Sequence, residues 1–288
     1  YGLSEFKEIK LDNFYYIDKT EYIPMLENLP RYLFFIRPRR FGKSLFLSML
    51  HYYYDEKYKE QFNDIFQDTW VLDNRTDEAS SYKILRFDFS VIDSRKYQKD
   101  FDIYLELVLN KFIRKYELNI ELNSFGAINK LNELFIKLQL HDMRIYCLID
   151  EYDNFANELL SKQKEEYRRL VSEQESMFKQ FFKILKSATG MEGGPLKKMF
   201  ITGVSPMTMF DVTSGFNIGM FVSTNARLNS MLGITRQELE DLFAYYGLEP
   251  DFEVLDKWYN NYRFSSKTED RVYNSDMVMY YVSKILQT

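Results

Sequence analysis

One cysteine, Cys147, and two histidines, His51 and His141, are all that the 288 residues hold of these types. A lone thiol excludes an intramolecular disulfide, and its apolar neighbours suit a buried, inert side chain. No Cys/His spacing of the kind that holds structural zinc is present. No apolar run approaches the roughly 18 residues of a membrane-spanning helix. No signal-peptide pattern is visible, although the chain opens on Tyr1 rather than Met, and the cytoplasm, without a membrane partner, is the expected setting. Excess positive charge is also missing. Against 38 Lys and Arg stand 43 Asp and Glu, a net charge of −5, so the chain as a whole is not a nucleic-acid-binding polycation. Internal repeats and low-complexity tracts are absent.

Aromatic residues are abundant: 25 Phe and 23 Tyr in a chain 45% hydrophobic. That supports a sizeable core, as one large domain or one domain with an appendage, and argues against disorder.

The segment Arg37-Pro38-Arg39-Arg40-Phe41-Gly42-Lys43-Ser44 has the form of a phosphate-binding loop, GxxxxGK[ST], with Arg37 in place of the first glycine. Gly42 would let backbone approach phosphate oxygens, Lys43 would reach the β- and γ-phosphates, and Ser44 would offer a hydroxyl to Mg²⁺. The apolar run Leu33–Ile36 before it reads as a strand, and Leu45 to Tyr54 after it as a helix. A helix N-terminus at this point presents unpaired N–H groups and a favourable dipole to an anion.

A second run, Arg144 to Ile149, reads as a buried strand that delivers Asp150-Glu151-Tyr152-Asp153 at its carboxyl end. Adjacent carboxylates there match a Walker B arrangement: Asp150 for Mg²⁺ and Glu151 as general base toward water. Phosphate loop and acidic strand end explain each other, and together they define a nucleoside triphosphate site.

Strand candidates at Ile84–Ser90 and Met199–Gly203 alternate with helices at Phe101–Tyr116, Ile128–Leu140 and Lys162–Lys186. A further helix, capped by Asp18, carries Tyr22, Ile23, Leu26 and Leu29. This alternation predicts an α/β fold with a mainly parallel sheet, the three-layer sandwich of P-loop NTPases. From about Asn225 the pattern turns helical: Thr235–Tyr246, with Thr235 and Glu238 forming a capping box, then Phe252–Tyr259 and Asp276–Ile285. The expected division is a nucleotide-binding core over 1–224 and a helical lid-like subdomain over 225–288. Glu5-Phe6-Lys7 and Glu8-Ile9-Lys10 match a nuclease ExK pattern but lack an upstream strand with an Asp, and read as solvated charge.

These residues resemble the bacterial AAA-ATPase-like family, P-loop ATPases of the wider AAA+/STAND group. The pieces are Tyr16-Ile17-Asp18-Lys19-Thr20, RPRRFGKSL from Arg37, Phe87-Asp88-Phe89-Ser90, Leu148 to Asp153, Thr202-Gly203-Val204-Ser205, Trp258 to Phe264 and Val272-Tyr273-Asn274. Arginine at position 37 is typical of the family. Asn261 stands where a glycine is usual, and Ser275-Asp276 where a Pro-Trp-like pair is usual. The resemblance implies ATP and Mg²⁺ as cofactors, with Arg37, Pro38, Arg39, Arg40, Phe41, Gly42, Lys43, Ser44 and Leu45 around the phosphates. Tyr16 and Ile17 would lie against adenine. Ser205 or Thr202 would be the sensor hydroxyl and Arg263, or Arg227, the lid arginine, with Asp88 a supporting carboxylate. Arg39 and Arg40 would touch phosphate or a neighbouring subunit. A homo-oligomer is expected, as is a nuclease-like domain beyond residue 288, with nucleic acid as a partner through it.

Three functions fit: an ATPase coupled to a C-terminal effector, a nucleotide-dependent switch or scaffold with little turnover, and a small-molecule kinase. Glu151 favours hydrolysis, since a pure binder has no need of it.

Overall fold

The computed structural model describes residues 2–92, 97–154, 177–190, 192–206, 218–259 and 262–287. Five strands, β1 (Tyr32–Ile36), β2 (Lys83–Asp88), β3 (Ile145–Asp150), β4 (Leu196–Gly203) and β5 (Met220–Phe221), form one parallel sheet in the order β2-β3-β4-β1-β5. The sequence has continuous apolar runs at its central strands because both faces are covered. In β3 every residue is buried. Ile145, Cys147 and Ile149 enter one core, and Tyr146 and Leu148 the other. β1 alternates likewise, with Phe34 and Ile36 on the first face and Leu33 and Phe35 on the second.

Helices α6 (Tyr97–Lys115), α7 (Ala127–Leu140) and α8 (Met177–Gly190) cover the first face. The second face carries α1 (Phe6–Leu11), α2 (Tyr22–Glu27), α3 (Lys43–Tyr54), α4 (Phe62–Ile65) and α5 (Trp70–Asp73). The result is a three-layer α/β fold, as expected. A third core joins α9 (Arg236–Tyr245), α10 (Phe252–Trp258) and α11 (Ser275–Ile285) through Leu239, Leu242, Leu255, Val278 and Val282. The residues just past 225 are not separate from the sheet: Leu228, Met231, Leu232 and Val272 belong to the second-face core.

From β1 the chain crosses to the far edge strand β2 and works back through β3 and β4. It then passes β1 to reach β5 on the other side. Neighbours β1 and β4 therefore send the chain in opposite directions, which opens a crevice at their carboxyl ends. The phosphate loop and the Thr202–Ser205 segment both leave from that point.

Local departures from the sequence reading have physical causes. Asp18 does not cap α2, which starts after Glu21. Its carboxylate accepts from Thr20 N at 2.9 Å and Trp70 N at 2.6 Å, so it caps α5. Strand β2 ends at Asp88, because the Asp88 carboxylate accepts from Ser90 N and turns Phe89–Val91 into a 3-10 helix. Phe6 and Ile9, within the charged stretch expected to be solvated, are buried on α1; six residues are too few for a helical period to show. Of the long helix expected from Lys162, residues 162–176 lie outside the described residues. The capping box of α9 is present as expected, Thr235 Oγ1 accepting from Glu238 N at 3.2 Å and Glu238 Oε2 from Thr235 N at 2.8 Å.

Candidate nucleotide site

Arg37 still pairs with β4, its N–H reaching Gly203 O at 3.3 Å. The chain then turns through Pro38–Gly42 directly into α3, whose first residue is Lys43. Two left-handed residues make the turn, Arg40 at φ 70° and Gly42 at φ 83°. A Cβ on Gly42 would meet nothing within 4 Å, so the glycine serves backbone conformation rather than space. The opening N–H groups of α3 have no intrahelical acceptor and lie at the head of the crevice. Lys43 is 6% exposed, and its ammonium donates to Arg37 O at 3.1 Å and Pro38 O at 2.9 Å. Burial lowers its pKa, while Asp150, Glu151 and Asp153 act to raise it.

Those carboxylates come from the end of β3. Asp150 is buried, and the Ser44 side chain in the first turn of α3 acts on it, lowering its pKa. Burial raises the Asp150 pKa, Asp88 adds to the rise, and Ser44, Arg86 and Lys43 oppose it. Asp88 stands directly opposite Asp150 in the β2–β3 register. Glu151 follows with a left-handed backbone at φ 49° and its N–H on Asp150 Oδ1 at 3.0 Å. Burial, then the charge of Asp150, pushes its pKa up, the direction that makes a carboxylate a better base near neutral pH. A strained backbone at such a residue is a feature of functional sites.

Asp153, quoted in the sequence motif without a role, locks the two strand ends together. Its carboxylate accepts from Val204 N at 3.1 Å and Ser205 N at 2.6 Å. Tyr152 OH donates to Ser205 O at 2.7 Å. Both main-chain groups of Ser205 are thus held by the acidic turn. Thr202, one strand position earlier than Gly203, has a buried hydroxyl with no hydrogen-bond partner among the described residues, at a position paired with Phe35 of β1. An orphaned hydroxyl at the mouth of the crevice suits a polar ligand better than an apolar one.

On the other side of Gly42 lies an apolar cavity of about 220 Å³, lined among others by Tyr16, Ile17, Phe41, Leu45 and Met279. The sequence-proposed base-binding residues and the loop therefore share one recess. Lys19, also on its wall, is buried and bridges the N-terminal segment to α9. Its ammonium donates to Glu238 Oε1 and Oε2 at 2.5 and 2.7 Å and to Ser230 O at 3.0 Å. The dipeptide-level signal for this brace is Lys19 beside Asp18 and Thr20, all three polar yet each occupied structurally.

The candidate arginines are placed elsewhere. Arg37 is 1% exposed, its guanidinium sandwiched between the rings of Phe35 and Phe264 at 4.1 and 4.0 Å. It donates to Ile36 O, Ser223 O, Leu228 O and Asn229 O at 2.8–3.4 Å. Burial lowers its pKa to about 9, which leaves it a cation at neutral pH. Its side chain is a brace, and only its backbone stands at the loop. Arg263 is exposed, and its Nη1 donates to both oxygens of Glu269, Oε1 at 3.1 Å and Oε2 at 3.0 Å. Its neighbours Tyr262 and Phe264 both pack on Phe41, and in extended chain the residue between them faces the opposite way. Arg39 and Arg40 are exposed, but their carbonyls accept from Asn274 Nδ2 at 3.2 Å and Asp276 N at 3.2 Å. The start of α11 thereby holds the loop, and Arg40 also pairs with Asp276 at 3.1 Å. Arg227 is exposed. Asn261 lies outside the described residues.

The family described as predicted AAA-ATPase matches residues 1–213, and the chain belongs to it. An uncharacterized protein from the vnfD 5′ region of Azotobacter chroococcum mcd 1 is 26% identical over 282 residues, which are 95% of this chain and 49% of that protein. The chain thus spans about half the length of this relative. The crystal structure of Cdc6p from Pyrobaculum aerophilum aligns over 85% of this chain and 50% of its own, at 12% identity and a TM-score of 0.36. No helix among the described residues is long and apolar enough to cross a membrane.

Proposed function

We propose that the chain binds ATP with Mg²⁺, hydrolyses it slowly, and passes its nucleotide state to a further domain of a longer cytoplasmic protein. The observation that carries this is the meeting of the start of α3 with the end of β3, where the Ser44 side chain and the Lys43 charge both act to lower the pKa of Asp150. It brings a hydroxyl, the Lys43 ammonium and the Asp150-Glu151 pair to one end of the sheet, beside an apolar recess.

Ser44 and Asp150 are the oxygen donors for Mg²⁺, a cation that takes one or two protein ligands and completes its shell with phosphate and water. Held there, Mg²⁺ would supply positive charge that offsets the charge of the phosphates. Lys43 exchanges the carbonyls of Arg37 and Pro38 for the β/γ oxygens. Glu151 takes the proton from the attacking water. Thr202, with its orphaned hydroxyl, is favoured over Ser205 as the group that orients that water or the terminal phosphate. Tyr16 and Ile17 pack on the base. Residues 225–288 act as the lid, with α11 resting on the loop through Asn274 and Asp276.

A second reading, a switch with little turnover, is favoured by the surface pairing of Arg263 with Glu269. That leaves the transition-state arginine to come from another subunit or domain, a contribution of about 10³–10⁵ in rate. Phosphate release measured against protein concentration decides between them. A rate per chain that rises with concentration supports an arginine supplied in trans. A fast, concentration-independent rate refutes it. In either case Glu151→Gln is expected to keep ATP binding and lose turnover, and an unchanged rate removes Glu151 from the mechanism.

A further inference from the structure

A second cavity, about 630 Å³, runs along the edge strand β2 between α3 and α6. It is of the size that takes a small organic ligand. The edge is sealed at both ends by α6 and the residue that follows it: Tyr116 OH accepts from Ile84 N at 2.6 Å, and Tyr104 OH from Asp88 N at 2.5 Å. Between these two seals lies Arg86, which shares the α3-side face of β2 with Ile84 and lines the cavity.

The wall combines cations with rings. Arg86 and Lys111 line it and make no hydrogen bond or ion pair among the described residues. Lys115, the third cation, is fixed by Asp55 at 2.5 Å and His51 Nε2 at 2.8 Å. Asp55 itself is fully buried behind it. The rings of Tyr52, Tyr58 and Tyr104 share the lining with the apolar side chains of Leu107, Val108 and Phe112. Two carboxylates also reach the cavity and are already engaged: Glu5 accepts from Ser48 Oγ at 3.1 Å and Asp88 from Ser90 N at 3.0 Å. The charge of Asp150 bears on Arg86, but no hydrogen bond holds the half-buried guanidinium, and its N–H groups need water or an anion to meet them. A planar guanidinium beside tyrosine rings suits a phosphate or carboxylate joined to an aromatic ring.

We propose that this cavity is a second ligand site, for an anionic, ring-bearing small molecule, with Arg86 and Lys111 as the groups that meet the anion. It shares its two supporting elements with the nucleotide site. The N-terminal turn of α3 carries Lys43 and Ser44 and its last turns carry His51 and Tyr52; on β2, Asp88 stands opposite Asp150, and Arg86 two residues before it. Occupancy would therefore bear on the acidic strand end, but the site stands on its own lining, whether or not nucleotide is turned over.

The test is calorimetric titration with phenyl phosphate, with phenol as the uncharged control. Wild type and Lys43→Ala are expected to bind phenyl phosphate alike. Arg86→Met should weaken binding about tenfold, and Lys111→Ala several-fold, the scale for losing one charge-assisted contact. Lys111 is exposed, so its variant keeps the fold and carries the test alone if Arg86→Met does not fold. Phenol should bind at least about tenfold more weakly than phenyl phosphate. Loss of binding in Lys43→Ala would place the phosphate in the loop and overturn the proposal. So would equal binding by wild type and Lys111→Ala, equal binding of phenol, or no binding at all, the result for a water-filled cleft.

Discussion

A methyl group on Gly203 would stand 2.4 Å from Asp153 Oδ1 and 2.5 Å from Tyr152 Cε1. The glycine ending β4 and the acidic turn ending β3 therefore occupy the same space, and the absent side chain of one admits the carboxylate of the other. Gly203→Ala is expected to destabilise by about 1–3 kcal/mol, the range for overpacking a filled site. Asp153→Asn, which weakens the acceptor of Val204 and Ser205 N–H groups, should cost a similar amount. Urea unfolding of both variants is the measurement. Wild-type stability for Gly203→Ala would mean that the Asp150–Asp153 turn yields easily and does not fix Thr202 and Ser205.

Lys43→Ala addresses the loop. Without phosphate, Lys43 donates to two carbonyls of its own loop, so the apo fold does not depend on a distant partner. The variant should unfold within about 3 kcal/mol of wild type, the range for losing hydrogen bonds from a charged group, with the burial cost of the ammonium relieved in return. Its ATP affinity should fall by at least about tenfold, since one charge-assisted contact to phosphate is worth that much. Calorimetric titration with Mg·ATP reads the second effect and thermal unfolding the first. Equal affinity would remove Lys43 from the site.

Much of this was legible in the sequence, for reasons that can be named. The strands β1, β3 and β4 are buried on both faces, so they read as unbroken apolar runs. Lys43, Ser44 and Asp150 come together because the loop and the acidic run each sit at the carboxyl end of such a strand. What was not legible depends on contacts far apart in the chain. Arg37 reads as a phosphate-loop cation, but its acceptors lie at 223, 228 and 229 and one of its rings at 264. Arg263 reads as a lid arginine, but alternation with Tyr262 and Phe264 turns it outward. Asp18 has the spacing of a helix cap, yet one of its oxygens goes to the neighbouring Thr20 N–H and the other to α5, 52 residues on. The edge strand β5, two residues long, has no pattern of its own to read.

Asp150→Asn tests the electrostatics. The folded pKa of Asp150 is raised, chiefly by burial. Between the ordinary carboxylate range near pH 4 and that raised value, the folded state binds more protons than the unfolded state. Stability therefore falls as pH rises through this window, and at pH 7 the ionised carboxylate is a net cost to the apo protein. Removing the charge should raise the melting temperature near pH 7, by about 2–4 °C for each kcal/mol regained in a chain of this size. The gain should shrink toward about pH 4, where wild type is protonated too. The same variant should lose Mg²⁺-dependent ATP binding, a trade of function for stability. A lower melting temperature at pH 7 would show that the Ser44 contact needs the full negative charge and outweighs its burial.

Arg37→Gly restores the glycine that phosphate loops usually carry at this position, and by motif alone it should help. The structure argues the reverse. The Arg37 guanidinium fills the space between Phe35 and Phe264 and donates to four carbonyls, so it joins β1, the 223–229 segment and the segment around Phe264. Its removal leaves those carbonyls without their donor, opens a cavity under the loop, and adds backbone freedom at a strand end. A loss of about 3–5 kcal/mol is expected, the range for breaking a buried charged group's network by removing one partner. Arg37→Lys should recover only part of it, because an ammonium cannot serve four carbonyls in one plane or stack between two rings. Guanidinium chloride unfolding of the three proteins gives the ranking, wild type above Arg37→Lys above Arg37→Gly. ATP affinity of Arg37→Lys, measured at a temperature where it is folded, should stay within about threefold of wild type, since the side chain does not face the phosphates. A stable Arg37→Gly protein, or a large affinity loss in folded Arg37→Lys, would return Arg37 from the role of brace to that of phosphate ligand.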